Sequence, residues 1–276
     1  MIMTDIIIKD ISSLSASEVD VYTELSERML LTYNEPEPGL CIVESQKVIE
    51  RALLDGYEPV SFLIAEDKTP VVQQLLAGTT FAHPIPVYRT KTDIICDLIG
   101  YNLTGGILCA MKRKKLPTVD ELLANSRTVA ILEEVENPTN VGAIIRSAAA
   151  LNVDSIILTS GCSNPLYRRA ARVSMGTVFQ IPWTVYDKST TDLIHRMKEN
   201  DYTLMALALK DNSLMLGDSK LHGFKKLGII LGSEGYGLCD DTINSCDFSV
   251  IIPMQHEVDS LNVAAAAAVA FWELCK

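Results

Sequence analysis

The alternation of apolar strands with helical segments in the second half of the chain limits the folds that it can adopt. Five short apolar segments recur there, at 128–132, 155–159, 204–208, 227–231 and 248–252. Helical patterns separate them. Near-continuous apolar strands divided by helices are typical of a parallel sheet that helices cover on both faces. Such sheets bind their ligands at the carboxyl ends of the strands, so we expect a site there.

The first part of the chain predicts a smaller α/β unit, beginning at about Ser15 and ending at Lys112. Its predicted elements are a helix at 17–33, a strand at 39–43, a helix at 45–56, a strand at 60–64 and a last strand at 105–111. The segment that follows contains Pro117 and a short polar helix, and we interpret it as a linker. The predicted organisation is therefore a domain at 1–112, a linker at 113–127 and a domain at 128–276.

The composition is that of a globular protein with a substantial core. Hydrophobic residues make up 48% and charged residues 21% of the 276 residues, which is ordinary for such proteins. The three isoleucines at 6–8 are too short a run for a signal peptide, and nothing approaches the roughly 20 apolar residues of a membrane span. We therefore expect a protein that stays in the cytoplasm and binds no membrane.

The cysteines and histidines give no sign of a disulfide framework or a metal site. The cysteines are odd in number, scattered and never spaced as C-x-x-C: Cys41, Cys96, Cys109, Cys162, Cys239, Cys246 and Cys275. Reduced and mostly buried thiols are the favoured interpretation. The histidines show no metal-ligand spacing either (His83, His195, His222 and His256). We expect no bound metal.

Two basic clusters stand out against a formal net charge of −11. They comprise Lys112, Arg113, Lys114 and Lys115, and then Arg168, Arg169 and Arg172. The negative net charge counts against nonspecific binding of nucleic acid, which depends on neutralising phosphates. It does not exclude a local basic patch. From charge alone, a solvated linker or helix face is the better explanation of each cluster.

A first polar motif follows the strand at 128–132 and opens a helix. It reads E-N-P-T-N-V-G-A-I-I-R over residues 136–146. Asn140 is a good helix N-cap residue, and we expect Arg146 near the helix N-terminus, where its charge opposes the macrodipole. A charge placed against local preference indicates a function. A capped core helix with an exposed arginine explains this motif alone equally well.

A second, glycine-rich motif comes directly after the strand at 227–231. It reads L-G-S-E-G-Y-G-L over residues 231–238, and its glycines do not follow the dinucleotide-binding order G-x-G-x-x-G. This glycine spacing predicts a backbone that turns sharply and approaches a ligand closely. Glu234 is then expected at the carboxyl-end edge of the sheet. On its own, a tight strand–helix connection is the simpler explanation.

A third motif leads into an alanine-rich final helix. It reads I-P-M-Q-H-E-V-D-S-L-N-V over residues 252–263, and Ser260 is placed to cap the helix that follows. The consecutive alanines at 264–268 give a helix so thin that another backbone can come very close. Because Phe271 and Trp272 follow, burial of this helix in a tight interface explains the run better than low complexity does.

In this order and spacing, the three motifs resemble the signature of the SpoU branch of the SPOUT methyltransferases. That signature reads N-P-x-N-x-G-x-x-x-R, then L-G-S-E-G-x-G-L, then I-P-M-x-x-x-x-x-S-L-N-V, and the chain matches it throughout. The resemblance covers about residues 128–276. Residues 1–112 resemble, more loosely, the ribosomal-protein-L30e-like substrate domain that precedes the catalytic domain in many members.

The resemblance implies an α/β fold with a parallel sheet whose C-terminal segment forms a trefoil knot. It implies that the backbone around Gly232, Ile252 and Leu261 wraps the cofactor S-adenosylmethionine (SAM). It also implies a homodimer, which the alanine-rich C-terminal helix fits. The implied reaction is metal-free transfer of the SAM methyl group to a ribose 2′-hydroxyl of RNA.

The resemblance also assigns roles to the polar residues. Arg146 matches the catalytic arginine, which is expected to contact the ribose and the adjoining phosphate. Because a guanidinium stays protonated, we expect it to orient the hydroxyl and stabilise its developing charge rather than act as a base. The remaining polar positions are expected to order Arg146 and position the substrate: Asn140, Glu234, Ser260 and Asn262.

The segment at 166–176 resembles a stretch that lines the RNA-binding face in the family. The predicted phosphate contacts are therefore Arg168, Arg169 and Arg172, together with Lys112 and Arg113. Two positions depart from the family by replacing a common glycine. They are Asn152, which tolerates a left-handed helix end nearly as well, and His256, which we interpret as an exposed loop residue.

Three alternatives remain open. A SPOUT-fold protein that binds RNA without methylating it is disfavoured by the intact polar residues. An ordinary doubly wound nucleotide-dependent enzyme requires a glycine-rich turn early in its domain, and the sequence has none. A SPOUT enzyme acting on a base fits the N-x-G-x-x-x-R arginine less well. We favour ribosomal RNA over transfer RNA, because the L30e-like module is common among members that modify ribosomal RNA.

Overall fold

The computed structural model describes residues 5–99, 105–210, 212–256 and 260–276. Its strands are β1 Ile6–Asp10, β2 Leu40–Glu44, β3 Pro59–Ala65, β4 Ile85–Thr90, β5 Ile107–Lys112, β6 Thr128–Leu132, β7 Ser155–Thr159, β8 Trp183–Tyr186, β9 Thr203–Leu207, β10 Leu214–Met215, β11 Leu227–Leu231 and β12 Phe248–Ile251. Its α-helices are α1 Asp20–Thr23, α2 Glu27–Leu31, α3 Gln46–Leu54, α4 Thr69–Leu76, α5 Thr92–Ile99, α6 Val119–Asn125, α7 Pro138–Ala150, α8 Arg168–Val173, α9 Thr190–Glu199, α10 Asp240–Ser245 and α11 Val263–Leu274.

The chain divides by its contacts into two compact units. The first comprises Met1–Lys115 and Leu166–Phe179, and the second comprises Leu116–Pro165 and Gln180–Lys276. The sequence placed the segment Leu166–Phe179 within a domain at 128–276, whereas its contacts group it with the first unit. The domain bounds 1–112, 113–127 and 128–276 stay predictions.

The first unit is built on a mixed five-stranded sheet in the order β1-β4-β3-β5-β2. Strands β1 and β3 pair in parallel with β4, and β5 runs antiparallel to β2 and β3. The predicted continuous helix at 17–33 is wrong. A 3-10 turn at Ser17–Val19 and the short helices α1 and α2 replace it. The side chain of Ser26 accepts from Met29 N and starts α2 anew, as serine favours helix caps over helix interiors.

The second unit contains a seven-stranded sheet in the order β10-β12-β9-β11-β6-β7-β8, in which every pairing is parallel. The predicted parallel sheet is confirmed, and the five predicted strands lie within one residue of β6, β7, β9, β11 and β12. The sequence did not predict β8 and β10, which form the two edges. The trefoil knot and the likeness of the first unit to L30e stay predictions.

Helix α6 lies in the segment that the sequence assigned to a linker. Thr118 and Glu121 form a reciprocal capping box at its start. Its apolar side chains Val119, Leu122 and Leu123 are buried in a core that they share with residues of β6, β9 and α9. Much of the predicted linker is therefore folded into the second unit.

The cysteines of the described residues are free thiols, and Cys41, Cys109 and Cys275 are buried. Burial raises the pKa of the Cys41 thiol to about 12, so it stays protonated. The side chain of Cys96 lies outside the described residues. Within the described ranges, no helix is long and apolar enough to cross a membrane, and no group of three His, Cys, Asp or Glu side chains converges as metal ligands would.

Candidate active site

A cavity of about 480 Å³ lies at the carboxyl ends of β9, β11 and β12. This is the edge of the sheet at which the sequence predicted a ligand, and the volume is in the usual range of small-molecule sites. The lining includes all three residues predicted to hold the cofactor, Gly232, Ile252 and Leu261, and two of the predicted polar residues, Glu234 and Ser260.

The glycine motif forms the wall of this cavity between β11 and α10, and its glycines serve different purposes. A Cβ on Gly232 would collide with the main chain of Gly237 and Leu238, so Gly232 lets the loop fold back on itself. Gly237 has a φ of +67°, and its N–H donates to Ser233 O at 3.0 Å. A Cβ on Gly235 would meet no atom within 4 Å. The turn itself therefore requires Gly232 and Gly237, before any ligand is considered.

Asn262, in the third motif, joins one polar residue from each of the other two motifs. Its Nδ2 donates to Asn140 Oδ1 at 3.1 Å and to Glu234 Oε1. Asn140 is a buried residue of α7, and Glu234 belongs to the glycine motif. The structure thus brings together three of the five residues predicted to be catalytic, although long stretches of sequence separate them.

The helix caps differ from those that the sequence predicted. Helix α7 starts at Pro138, a favourable first position for proline, and its N-cap is Asn137, whose side chain accepts from Thr139 N at 2.9 Å. The prediction that Asn140 caps this helix is wrong. Likewise, Asn262 caps α11 by accepting from the N–H groups of Ala264 and Ala265, and Ser260 does not.

Arg146 lies in the middle of α7, exposed to solvent. The expectation that it opposes the macrodipole at the helix N-terminus is therefore wrong, since that effect is confined to the first turn. Within the described part of the chain, the Arg146 guanidinium has no ion pair and no hydrogen bond, including none to Asn140 or Glu234. The predicted ordering of Arg146 by these residues stays a prediction.

Glu133 is a buried carboxylate that the sequence did not single out. This side chain, only 5% exposed, comes directly after β6 and accepts from Thr242 Oγ1 at 2.6 Å and from Cys239 N at 3.0 Å. It therefore ties the end of β6 to the start of α10, where the glycine motif ends. The sequence has glutamates at 133, 134 and 136, and nothing in their pattern indicates which one is buried.

The loop between β6 and α7 is held by the end of β7. Glu134 has a φ of +55°, its N–H donates to Thr159 Oγ1 at 3.1 Å, and the same hydroxyl donates to Glu134 Oε1 at 3.0 Å. A side chain at Gly161 would collide with this carboxylate. The Cys162 thiol donates to Leu132 O, and burial raises its pKa. These contacts fix the path of the chain into α7.

The two positions that replace a family glycine both have a left-handed backbone, with a φ of +59° at Asn152 and at His256. This conformation explains why glycine suits both positions. Asn152 follows the end of α7, as predicted, and its amide donates to Cys275 O at 3.3 Å. His256 is exposed, as predicted, and lies beside the cavity residue Met254 in sequence.

The basic residues of α8 differ in their surroundings within the first unit. Arg168 and Arg172 both approach the buried carboxylate of Glu44, at 3.9 and 3.4 Å. Arg169 is exposed and has no protein partner among the residues that the structure describes. Of these three predicted phosphate contacts, Arg169 is thus the one that the described protein leaves unpaired.

The first basic cluster is largely engaged with the surface of the first unit. Lys112 Nζ lies 2.8 Å from Glu58 Oε2, and Lys114 Nζ lies 3.0 Å from Asp55 Oδ2. Arg113 is partly buried, and desolvation lowers its pKa. Because Lys112 is already paired and Arg113 is partly buried, neither is a favourable phosphate ligand. Their assignment as phosphate contacts stays a prediction.

Comparisons with known proteins agree with this arrangement. A model of the SpoU rRNA methylase family matches residues 127–272. An uncharacterized tRNA/rRNA methyltransferase of Mycobacterium bovis is 36% identical over 85% of this chain and 80% of its own length. A 23S rRNA guanosine 2′-O-methyltransferase of Bacillus subtilis is 26% identical over 84% of this chain and 87% of its own length.

Solved structures show the same fold. The crystal structure of an AdoMet-bound rRNA methyltransferase from Sinorhizobium meliloti has a TM-score of 0.78 and 23% identity, and covers 97% of each chain. The family match spans the three motifs that meet around Asn262 and the cavity beside them. This protein is a member of the SpoU rRNA methylase family and an RNA methyltransferase.

Proposed function

We propose that the protein transfers the methyl group of SAM to a ribose 2′-hydroxyl, and that its substrate is ribosomal RNA. The observation that carries this proposal is the meeting of Asn140, Glu234 and Asn262 beside the cavity, one residue from each motif. The activity named for the Bacillus subtilis relative supports ribose methylation of ribosomal RNA. Because this relative comes from a bacterium, in which ribosomes are made in the cytoplasm, we propose the cytoplasm as the location of this enzyme too.

The cavity fits the cofactor. Its walls combine apolar side chains with main chain at the ends of three strands, a setting that suits an adenine ring held by backbone groups. Gly232, Ile252 and Leu261 would hold it there. When bound, SAM supplies an electrophilic methyl group on a sulfonium, so the protein mainly contributes alignment.

The polar residues position the ribose. Because Asn262 Oδ1 is fixed by the start of α11, its Nδ2 must point to Asn140 and Glu234. The second Glu234 oxygen has no partner among the described residues and is available to accept from a ribose hydroxyl. Arg146 contacts the ribose and phosphate, orients the hydroxyl and stabilises the charge that develops on its oxygen. Ser260 completes the polar side of the cavity.

RNA binding involves both units. The first unit, with the L30e-like domain that we propose at 1–112, holds the RNA, and Arg169 with its neighbours Arg168 and Arg172 contacts phosphates. The 2′-hydroxyl is what distinguishes RNA from DNA here. We also propose a homodimer through α11, which buries Phe271 but exposes 64% of Trp272 and 42% of Val269.

Methyl transfer from labelled SAM tests the proposal. Ribosomal and transfer RNA pools that lack the host's own modification at this site would be compared, and the product digested to nucleosides. We expect a labelled 2′-O-methylnucleoside from ribosomal RNA. Label on a base would overturn the ribose assignment, and label only in transfer RNA would overturn the choice of substrate. Absence of transfer despite measured SAM binding would favour an RNA-binding protein without catalysis.

A further inference from the structure

The lining of the cavity contains few charged side chains. Among its described residues they are Lys210, Glu234 and Asp240. Glu234 is engaged with Asn262. Among these described residues, Lys210 therefore carries the one positive charge of the lining. Asp240 carries the one negative charge that is not hydrogen-bonded to Asn262.

Lys210 and Asp240 form an ion pair between two different walls of the cavity. Lys210 follows β9 and Asp240 is the first residue of α10, and Nζ lies 2.5 Å from Oδ1. The backbone is fixed on both sides, since Lys210 N donates to Ser213 Oγ and Glu133 holds Cys239. The hydrogen bond from Lys210 holds the pKa of Asp240 below its usual value.

This pair contributes little to stability, because its side chains are 45% and 76% exposed and exposed ion pairs are screened by water. Its position suggests a different purpose. SAM carries a sulfonium, an ammonium and a carboxylate. The lining offers two negative charges and one positive charge, which is the complementary set.

We propose that Lys210 and Asp240 bind the amino-acid end of SAM, with Lys210 binding its carboxylate and Asp240 its ammonium group. The inference rests on the proposed function and adds a specificity site to it. Binding replaces the ion pair between Lys210 and Asp240 with two ion pairs, each between one of these residues and SAM. The sulfonium end is then directed to the cluster of Glu234 and Asn262.

Calorimetric titration of the unliganded protein with three ligands tests this assignment. SAM carries the carboxylate and the ammonium of the amino-acid end. Decarboxylated SAM keeps the ammonium and the sulfonium but lacks the carboxylate, and 5′-methylthioadenosine lacks the whole amino-acid end and the sulfonium charge. We expect Lys210→Met to weaken SAM binding about tenfold, the usual effect of losing a charge-assisted hydrogen bond, and to change binding of the other two less than about twofold. Asp240→Asn should weaken SAM and decarboxylated SAM and spare 5′-methylthioadenosine.

Lys198→Met is the matched control. Lys198 pairs with Asp247 at 2.9 Å, is similarly exposed at 37%, and does not line the cavity, so all three ligands should bind this variant normally. Equal weakening of all three ligands by Lys210→Met would show that the lysine only shapes the cavity, and unchanged SAM binding would show that it binds no carboxylate. Either result overturns the inference. Failure of the unmodified protein to bind any of the three would instead overturn the proposed function, and this inference with it.

Discussion

The guanidinium of Arg146 lies exposed on α7 and makes no contact with a partner in the described part of the protein. A long charged side chain in this setting adds little to the stability of a fold, since surface substitutions usually change it only slightly. The role that we propose for Arg146 therefore depends on what binds beside it. Separate measurements of binding, catalysis and stability distinguish these contributions.

We predict that Arg146→Ala lowers methyl transfer about a hundredfold or more, the usual effect of losing a group that stabilises developing charge. SAM affinity should change less than about twofold, because Arg146 does not line the cavity. Transfer from labelled SAM and calorimetry would measure the two quantities. Arg127→Ala, at an exposed position just before β6, is the control. Turnover retained by the Arg146 variant would remove this residue from the mechanism.

Motif spacing predicted the residues that meet in the site, but not how each one is held. Asn140, Glu234 and Asn262 were identified because the three motifs appear in a known order. The sequence misplaced the cap of α7, because Asn137 and Asn140 are the same residue type and helix boundaries are uncertain by a few residues. Glu133 escaped notice because its burial depends on α10, which lies far along the chain.

Among the elements, α11 depends on Asn262 for its start. The side chain accepts from two N–H groups of the first turn and donates to Asn140 and Glu234. The cap uses the amide oxygen Oδ1, and the bridge to Asn140 and Glu234 uses the amide nitrogen Nδ2. Substitutions can therefore separate them.

We predict that Asn262→Ser keeps the cap and loses the bridge, whereas Asn262→Ala loses both. Urea denaturation should give the Ala variant a free energy of unfolding about 1 kcal/mol below that of the Ser variant, the usual value of an N-cap. Both variants should lose most methyl transfer. Equal stability of the two variants would contradict capping by Asn262, and full transfer by the Ser variant would show that the bridge is dispensable.

In the seven-stranded sheet, the central strands were predictable and the two edge strands were not. β6, β7 and β11 are fully or almost fully buried, so their sequences are largely apolar. β10 has only two residues, which is too short for a distinct apolar run. The break between α1 and α2 escaped notice because the apolar residues around it continue on both sides of Ser26.

For the whole molecule, the exposed side of α11 is the surface that we expect to form the dimer. We predict that Trp272→Asp produces a monomer, since a buried carboxylate without a partner is strongly unfavourable. Light scattering after size-exclusion chromatography would measure the mass. Met215→Asp is the control, because Met215 is equally exposed at 65% but lies on the edge strand β10. A dimeric Trp272 variant would place the interface elsewhere.

The pairing of β6 with β11 also bears on the order in which the protein folds. β6 ends at Leu132, and its partner does not begin until Leu227. Contacts between distant parts of a chain form late, because closing the intervening loop costs entropy. During synthesis, β6 and the helix that carries Arg146 leave the ribosome well before β11 exists to complete their sheet. Until β11 is made, β6 can pair only with β7, and its other edge stays open. The nascent second unit therefore exposes an apolar strand edge for much of its synthesis, the period in which chaperone binding matters most.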